Sequence, residues 1–345
     1  MKIAIITDQH FGVRKSDKNF HNYFKKFYDN VFFPTLSERG ITQLVDMGDT
    51  FDNRKYIDIW ALKWAKQNYY DQLSDMGIQV HTVVGNHTAY YKNTNSVNSV
   101  DLLMREYENI QVYSEIESVV LGNLNVLFVP WINSDNRESS IEKIKLSDAD
   151  VVMGHLELNG FSPYKGHIMT EGMECDVFEN YKLVFSGHYH TKSDNGKIYY
   201  LGNPYQLYWN DVNDKRGFHI FDTETLELEF IHNPYEMYKV VEYEDTPHQM
   251  YKYNECFEKY VRLVIKKKTN VKQFEKFFEK LSDARPHELK VIDEIEVGDY
   301  EEEVLESEGT IAILDRYIDN ADIDLNKNQL KSLIQSIYKE ASEVE

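Results

Sequence analysis

Short apolar runs recur along the chain, and each ends at once in polar or ionisable residues: KIAIITDQH, ITQLVDMGD, IQVHTVVGNH, DADVVMGH and YKLVFSGHYH. Four to six β-favouring residues bounded by Gly, Asp or Asn predict buried strands, with the polar cluster at the C-terminal end of each. Between these runs, residues 58–74 carry Trp60, Trp64 and Leu73, and residues 96–107 carry Val97, Val100, Leu103 and Tyr107. Spacings of three and four place such residues on one face of a helix. Alternating strands and helices predict an α/β layered core. The later runs LNVLFVP, KIYYLGNP and RGFHIFD are expected to form a second sheet packed on the first, which makes a β-sandwich flanked by helices.

The pattern changes after Pro234. YKVVEYED, YVRLVIKKK, a lysine-rich helical stretch over 271–281 and ELKVIDEIEV predict a small α+β module, set off from the 1–236 domain at 237–292. Residues 293–308 read as an acidic, solvated linker. In 309–345, Ile311, Leu314 and Ile318 mark a short helix. Leu330, Leu333, Ile334 and Ile337 form a helical apolar stripe whose place beyond a long linker favours docking on a partner over packing on its own core.

Composition narrows the function classes. The chain has 345 residues and a formal charge of −20, which excludes a basic protein that coats nucleic acid, and its 42% apolar content excludes a disordered acidic polymer. The charge is uneven: residues 293–308 hold nine Asp/Glu and no Lys or Arg, whereas 252–280 hold nine Lys/Arg against four Glu. Cys175 and Cys256 are far apart and suggest neither a disulfide framework nor a thiolate zinc site, so a reducing compartment is expected. Four apolar residues, Ile3, Ala4, Ile5 and Ile6, are too few for a signal-peptide core or a membrane span; a cytoplasmic protein without membrane attachment is expected.

The five strand ends present Asp8 and His10, Asp49, Asn86 and His87, His155, and His188 and His190, which include five of the twelve histidines. One Asp-x-His pair or one Gly-Asp turn means little. Sites in open α/β sheets, however, form outside the carboxyl ends of strands, where residues remote in sequence meet. Oxygen and imidazole donors without thiolate suit manganese, iron or zinc. A carboxylate shared by two cations is the arrangement for hydrolytic attack on phosphorus by an activated hydroxide. Asp46 and Asp52, which flank Asp49, read as turn or surface residues.

The ordered set DQH, GDTFD, GNHT, GH and GHYH resembles the five motifs of the calcineurin-like metallophosphoesterases. Order, spacing and the stretches ELNGF, SGHYHT and RGFHIFDTET are similar, more narrowly, to the SbcD or meiotic-recombination-eleven type of DNA-repair nuclease, especially the short version found in tailed phages. The motifs cover residues 1 to about 222. This resemblance implies the two-sheet metallophosphoesterase sandwich with a small α+β capping domain and C-terminal helices for a partner. It implies two divalent cations, Mn2+ foremost with Mg2+ or Fe2+ as alternatives, one on Asp8, His10, Asp49 and His190 and the other on Asp49, Asn86, His155 and His188. His87 matches the histidine that stabilises the transition state and protonates the leaving oxygen, with Asn86 beside it. Thr88 stands where the family has Asp, which implies a less basic His87.

The implied activity is metal-dependent DNA hydrolysis within a recombination or double-strand-break repair complex, with an SbcC-type coiled-coil ATPase as partner and a homodimer formed through the helices at 58–74 and 96–107. Arg262, Lys266, Lys267, Lys268 and Lys272, in the capping module, are the candidate DNA contacts. Two rival readings are a small-molecule or phosphoprotein phosphoesterase and a weakly catalytic structural subunit.

Overall fold

The computed structural model describes residues 1–164 and 168–293, together with Lys327 and Lys331. In chain order the strands are β1 (Lys2–Ile6), β2 (Gln43–Asp46), β3 (Gln79–Val83), β4 (Ile110–Tyr113), β5 (Glu117–Leu121), β6 (Leu124–Val129), β7 (Val151–Gly154), β8 (Leu183–Ser186), β9 (Ser193–Asp194), β10 (Ile198–Tyr200), β11 (Gly217–Asp222), β12 (Leu228–His232), β13 (Tyr238–Glu244), β14 (Tyr260–Lys267) and β15 (Glu288–Asp293). One six-stranded sheet has the order β12-β11-β1-β2-β3-β4, a second the order β5-β6-β7-β8-β10-β9, and a three-stranded sheet the order β13-β14-β15.

Both six-stranded sheets are mixed. β1 to β4 run parallel, with β11 and β12 added antiparallel beside β1. β6, β7, β8 and β10 run parallel between the antiparallel edges β5 and β9. The parallel strands read as unbroken apolar runs because both of their faces are covered. Their alternation sorts the side chains: Ile3 and Ile5 join Val126, Phe128, Val151, Met153 and Phe185 in the core between the sheets, while Ala4 and Ile6 face an outer, helix-covered core. On the second sheet Leu127, Val129 and Val152 turn outward in the same way.

RGFHIFD, expected in the second sheet, is β11 of the first, paired with β1 through Ile3↔Phe221 and Ile5↔His219. Conversely, β7 and β8 belong to the second sheet, so the five chemistry-bearing strand ends are divided three and two between the sheets. An apolar run shows that a strand is buried but not which sheet it joins.

The segment predicted helical at 58–74 is helical from Ile59–Ala65 through a π turn at Lys66–Tyr70 to Asp71–Asp75, and Asp58 caps it by accepting from the Trp60 and Ala61 amides at 2.9 and 3.1 Å. Trp64 lies in the outer core against Phe11 (ring centroids 5.5 Å apart), and Trp60 meets His21 at 4.8 Å. Only Ser99–Met104 of the 96–107 prediction is helical, because Asn98 caps it there through the Asp101 amide at 2.8 Å. The aromatic helical stretch Lys18–Phe27, Tyr28–Phe32 and Phe33–Glu38 was not foreseen; it covers the same face of the first sheet.

The chain forms two compact units. Met1–Lys239, Tyr253–Val261 and Ala284–Glu288 make the first; Val240–Lys252, Arg262–Asp283 and the described residues from Leu289 on belong to the second. In the second, the helix Val271–Asp283 buries Phe277 and Leu281, and Phe274 and Phe277 pack on Tyr243 at 5.2 and 5.0 Å. The linker beyond Asp293 and the stripe Leu330, Leu333, Ile334 and Ile337 lie outside the described residues. Among the described residues no helix is long and apolar enough to cross a membrane.

Candidate active site

The loops that leave β1, β2, β3, β7 and β8 are stitched together by their backbones. The Asp8 amide donates to Gly48 O at 2.9 Å and the His10 amide to Asp49 O at 3.0 Å, while Gly187 donates to Gly154 O at 3.0 Å. Asp8, His10, Asp49 and His188 all adopt positive φ, at 52°, 49°, 51° and 80°. Non-glycine residues rarely do so, and such strain persists where the surrounding structure holds the chain in place for a task. Two glycines clear the space: a Cβ on Gly85 would collide with the Asp49 carboxylate, and one on Gly187 with the Thr7 hydroxyl.

Every strand-end residue singled out in the sequence arrives in this one place. Asp8, His10 and His190 form one group and Asp49, His155 and His188 another, each with a set of donor atoms within 4.8 Å of one another. His10 Nε2 and His190 Nε2 face each other at 3.1 Å. His155 Nε2 is 3.1 Å from Asp49 Oδ2, and Asn86 Oδ1 lies 2.9 Å from both His155 Nε2 and His188 Nδ1. The His87 amide donates to Asp49 Oδ1 at 2.8 Å, and the His188 amide to Asp8 Oδ2 at 3.0 Å.

Burial sets the charges. Asp8 and Asp49 are 0% and 2% exposed. Burial would raise the Asp49 pKa, but His155 and His87 hold it well below the usual carboxylate range. Burial raises Asp8, opposed by His155. Burial would lower His155, yet the Asp49 charge and hydrogen bond carry it up to about 9. Burial, with His155 beside it, takes His188 down to about 3; burial and His10 lower His190 strongly. The neutral imidazoles of His188 and His190 thus converge with buried carboxylates, while His155 is held protonated beside Asp49. His155 Nδ1 donates to Met47 O at 2.8 Å, which directs its other nitrogen at two oxygens. A proton on that nitrogen, or a cation in its place, would satisfy both oxygens. The donor sets fit two divalent cations.

Asp46 serves the turn, accepting from the Gly48 amide at 3.2 Å, but neither it nor Asp52 is a surface residue. Asp52 Oδ1 lies 3.2 Å from His10 Nδ1, off the ring's hydrogen-bonding direction, and its carbonyl oxygen holds His87 Nδ1 at 2.6 Å. The support expected for His87 from position 88 thus comes from position 52, while the Thr88 hydroxyl bonds the Gly85 amide and carbonyl at 3.0 Å. Asp46 is wholly buried, accepts from Gln9 and Thr50 at 2.9 Å, and is pushed by burial up to about 7. Arg216, absent from the sequence reading, is 4% exposed; it bonds His190 O and Asn203 Oδ1 and pairs with Asp211 at 2.8 Å and Asp214 at 3.0 Å. Its signal was a lone Arg opening an apolar strand, too common to stand out.

In the second unit, Lys266 pairs with Glu242 at 2.8 Å, Lys267 with Asp245 at 3.4 Å and Lys268 with Asp293 at 3.1 Å. Arg262 lies on β14, and Lys272 is exposed in the first turn of the helix. Acidic neighbours thus offset much of the basic island, although ion pairs this exposed are weak and exchangeable.

The sequence model for calcineurin-like phosphoesterases matches residues 1–192. Exonuclease subunit 1 of Enterobacteria phage T4 is 33% identical over 351 residues, covering 99% of this chain and all of that protein. Among solved structures, a calcineurin-like phosphoesterase from Bacillus subtilis is 13% identical over 67% of this chain and 87% of its own, with a TM-score of 0.35. A dimetal phosphatase from Danio rerio is 10% identical over 64% of this chain and 91% of its own, with a TM-score of 0.37. More than half of the chain matches the family's model, and a relative over 30% identical spans nearly all of it: the protein belongs to the calcineurin-like phosphoesterase family.

Proposed function

We propose that this protein is the nuclease subunit of a recombination or double-strand-break repair complex and hydrolyses DNA phosphodiester bonds. The observation that carries the reading is the convergence of five strand ends on adjoining clusters of oxygen and imidazole donors, in a chain similar over its whole length to a phage exonuclease subunit. We assign one cation, Mn2+ by preference, to Asp8, His10, Asp49 and His190, and a second to Asp49, Asn86, His155 and His188. Bound there, two divalent cations supply Lewis acidity to the phosphate and to the attacking water.

The chain's own residues do the rest. Asp49 stays anionic and fixes His87 through its backbone amide. The Asp52 carbonyl accepts from His87 Nδ1, which leaves Nε2 to carry the proton delivered to the leaving oxygen. Arg216 holds the loop of His190 by its carbonyl.

The module at 237–292 is assigned to DNA contact through Arg262, Lys266, Lys267, Lys268 and Lys272. The stripe Leu330, Leu333, Ile334 and Ile337 is assigned to an SbcC-type ATPase, the homodimer to the helices near 58–74 and 96–107, and the site of action to the cytoplasm. The test is Mn2+-dependent digestion of single- and double-stranded DNA against small phosphodiesters and phosphopeptides, with Asp49→Ala and His87→Ala as controls. DNA cleavage lost in both variants supports the reading. Turnover of monoesters alone favours a phosphatase, and no turnover with any metal favours a structural subunit.

A further inference from the structure

Two residues beyond Asp52, Arg54 projects a guanidinium that the site described above does not use. Its Cζ sits 5.2 Å from the centroid of the Trp131 ring, and its buried Nη1 has no hydrogen-bond partner. Among the described residues Arg54 has neither a hydrogen bond nor an ion pair. A guanidinium carries five donors and no acceptor, and it stays charged, so a half-buried one with an unmet buried donor is poised for an anion. Burial lowers its pKa and the Asp49 carboxylate raises it, which places it within the electrostatic reach of the catalytic loop.

The platform beneath it is built. The Trp131 amide donates to Val84 O at 2.8 Å, one residue before the Gly85 turn that carries Asn86 and His87. The Trp131 carbonyl accepts from Asn95 Nδ2 at 2.8 Å and Asn136 Nδ2 at 3.3 Å, and Asn133 Nδ2 locks Asn95 Oδ1 at 3.2 Å. Asn95 and Asn133 are 4% and 6% exposed. This buried amide network fixes the indole, whose face holds the guanidinium plane and leaves the edge N–H groups for a ligand. Arg54 also lies at most about 7 Å along the chain from Asp52, whose carbonyl positions His87.

We propose that Arg54, stacked on Trp131, binds a backbone phosphate of the DNA strand next to the one being cut and so sets the register of the strand across the site. The planar fork of donors matches two phosphate oxygens, and among the described residues no hydrogen bond or ion pair joins either side chain to the groups assigned to the metals. This inference rests on the nuclease reading for its substrate class.

The test measures equilibrium binding of the metal-free full-length chain to a duplex oligonucleotide in which one linkage at a time is a neutral methylphosphonate. The wild type should lose about tenfold in affinity at one linkage. Arg54→Ala should bind the unmodified duplex about tenfold more weakly, show no further loss at that linkage, and reduce the slope of log affinity against log salt by about one. Arg54→Lys, which keeps the charge without the fork, should recover part of the affinity, and Trp131→Ala should lose part of it. The proposal is overturned by an Arg54→Ala variant that binds like the wild type, or one that weakens every duplex equally with the linkage profile intact, which is what a merely structural role predicts. Cleavage in Mn2+ is scored separately. An Arg54-dependent linkage in a chain that cuts no DNA supports this assignment and sinks the nuclease reading, whereas a cutting enzyme without such a linkage sinks this assignment alone.

Discussion

The two halves of the site are held by different means. Around Asp49, His155 and His188 the restraints come largely from the backbone: Met47 O fixes one nitrogen of His155, and the His87 amide grips Asp49. Around His10 and His190 main-chain bonds are joined by side chains from outside the donor set. His10 has Asp52 beside it, and His190 hangs by its carbonyl from Arg216. Each half holds one buried histidine, His155 or His10, and one partly exposed, His188 or His190. A half anchored by main chain tolerates changes nearby, whereas a half anchored by side chains depends on residues outside the donor set.

The shared residue should show the largest effect. Asp49→Ala removes the one carboxylate assigned to both cations and is expected to lower kcat on the order of 10^4-fold. A calorimetric Mn2+ titration should lose both binding events together. Loss of only one event would break the assignment of Asp49 as the bridge.

Next is the outer anchor of His190. Arg216→Met leaves Asp211 and Asp214 without their cation in a site where Arg216 is 4% exposed. Removing one partner of such a buried pair costs about 3–5 kcal/mol, readable in the urea midpoint. Arg216→Lys should regain part of the stability. In either variant that still folds, one Mn2+ event should weaken more than the other; equal weakening of both would show that the two halves are not held independently.

Asp52→Asn isolates His10, because position 52 supports His87 through its carbonyl, which the substitution keeps. Loss of a carboxylate behind a ligating histidine weakens metal affinity about 10–100-fold, or about 1.4–2.8 kcal/mol. One Mn2+ event should weaken by that amount, with the other unmoved. If neither moves, Asp52 does not orient His10.

The donor residues of both halves were legible in sequence. Asp8, His10, Asp49, Asn86, His155, His188 and His190 all follow apolar runs, and the burial of those runs fixes where their ends emerge. Asp52, Arg54 and Arg216 were not legible, because an Asp near a turn or a single Arg has many ordinary uses until the fold brings it against a ligand or an aromatic ring. Asp46 shows the opposite case: a carboxylate beside a turn suggests solvent, yet Gln9, Thr50 and the Gly48 amide satisfy it in the core. The aromatic helix after Asp17 is hidden in the sequence because its aromatic residues do not separate a helical period from a buried strand. RGFHIFD went to the wrong sheet because antiparallel addition beside β1 is decided by long-range pairing.

The smallest predicted effect contrasts the site histidines with one that belongs only to the core. His219 on β11 is 5% exposed, packs on Phe230 at 5.2 Å, and is taken by burial, with Lys192 adding to it, down to about 3. Its folded pKa is below the unfolded value of about 6.5. On acidification the unfolded chain therefore takes up the proton first, so the histidine's contribution is complete above pH 6.5 and is lost as the pH falls from there toward 3. At pH 5.5 the loss is about 1.4 kcal/mol. His219→Phe removes the titrating group while keeping a ring, so the difference in urea-derived stability between pH 7.5 and 5.5 should shrink by about that amount. The metal affinities should stay as in the wild type, since no residue of either donor group touches His219. An unaltered pH dependence would mean that His219 is hydrated enough to protonate in the folded state. A change in metal affinity would mean that the core between the sheets, not the strand ends alone, tunes the site.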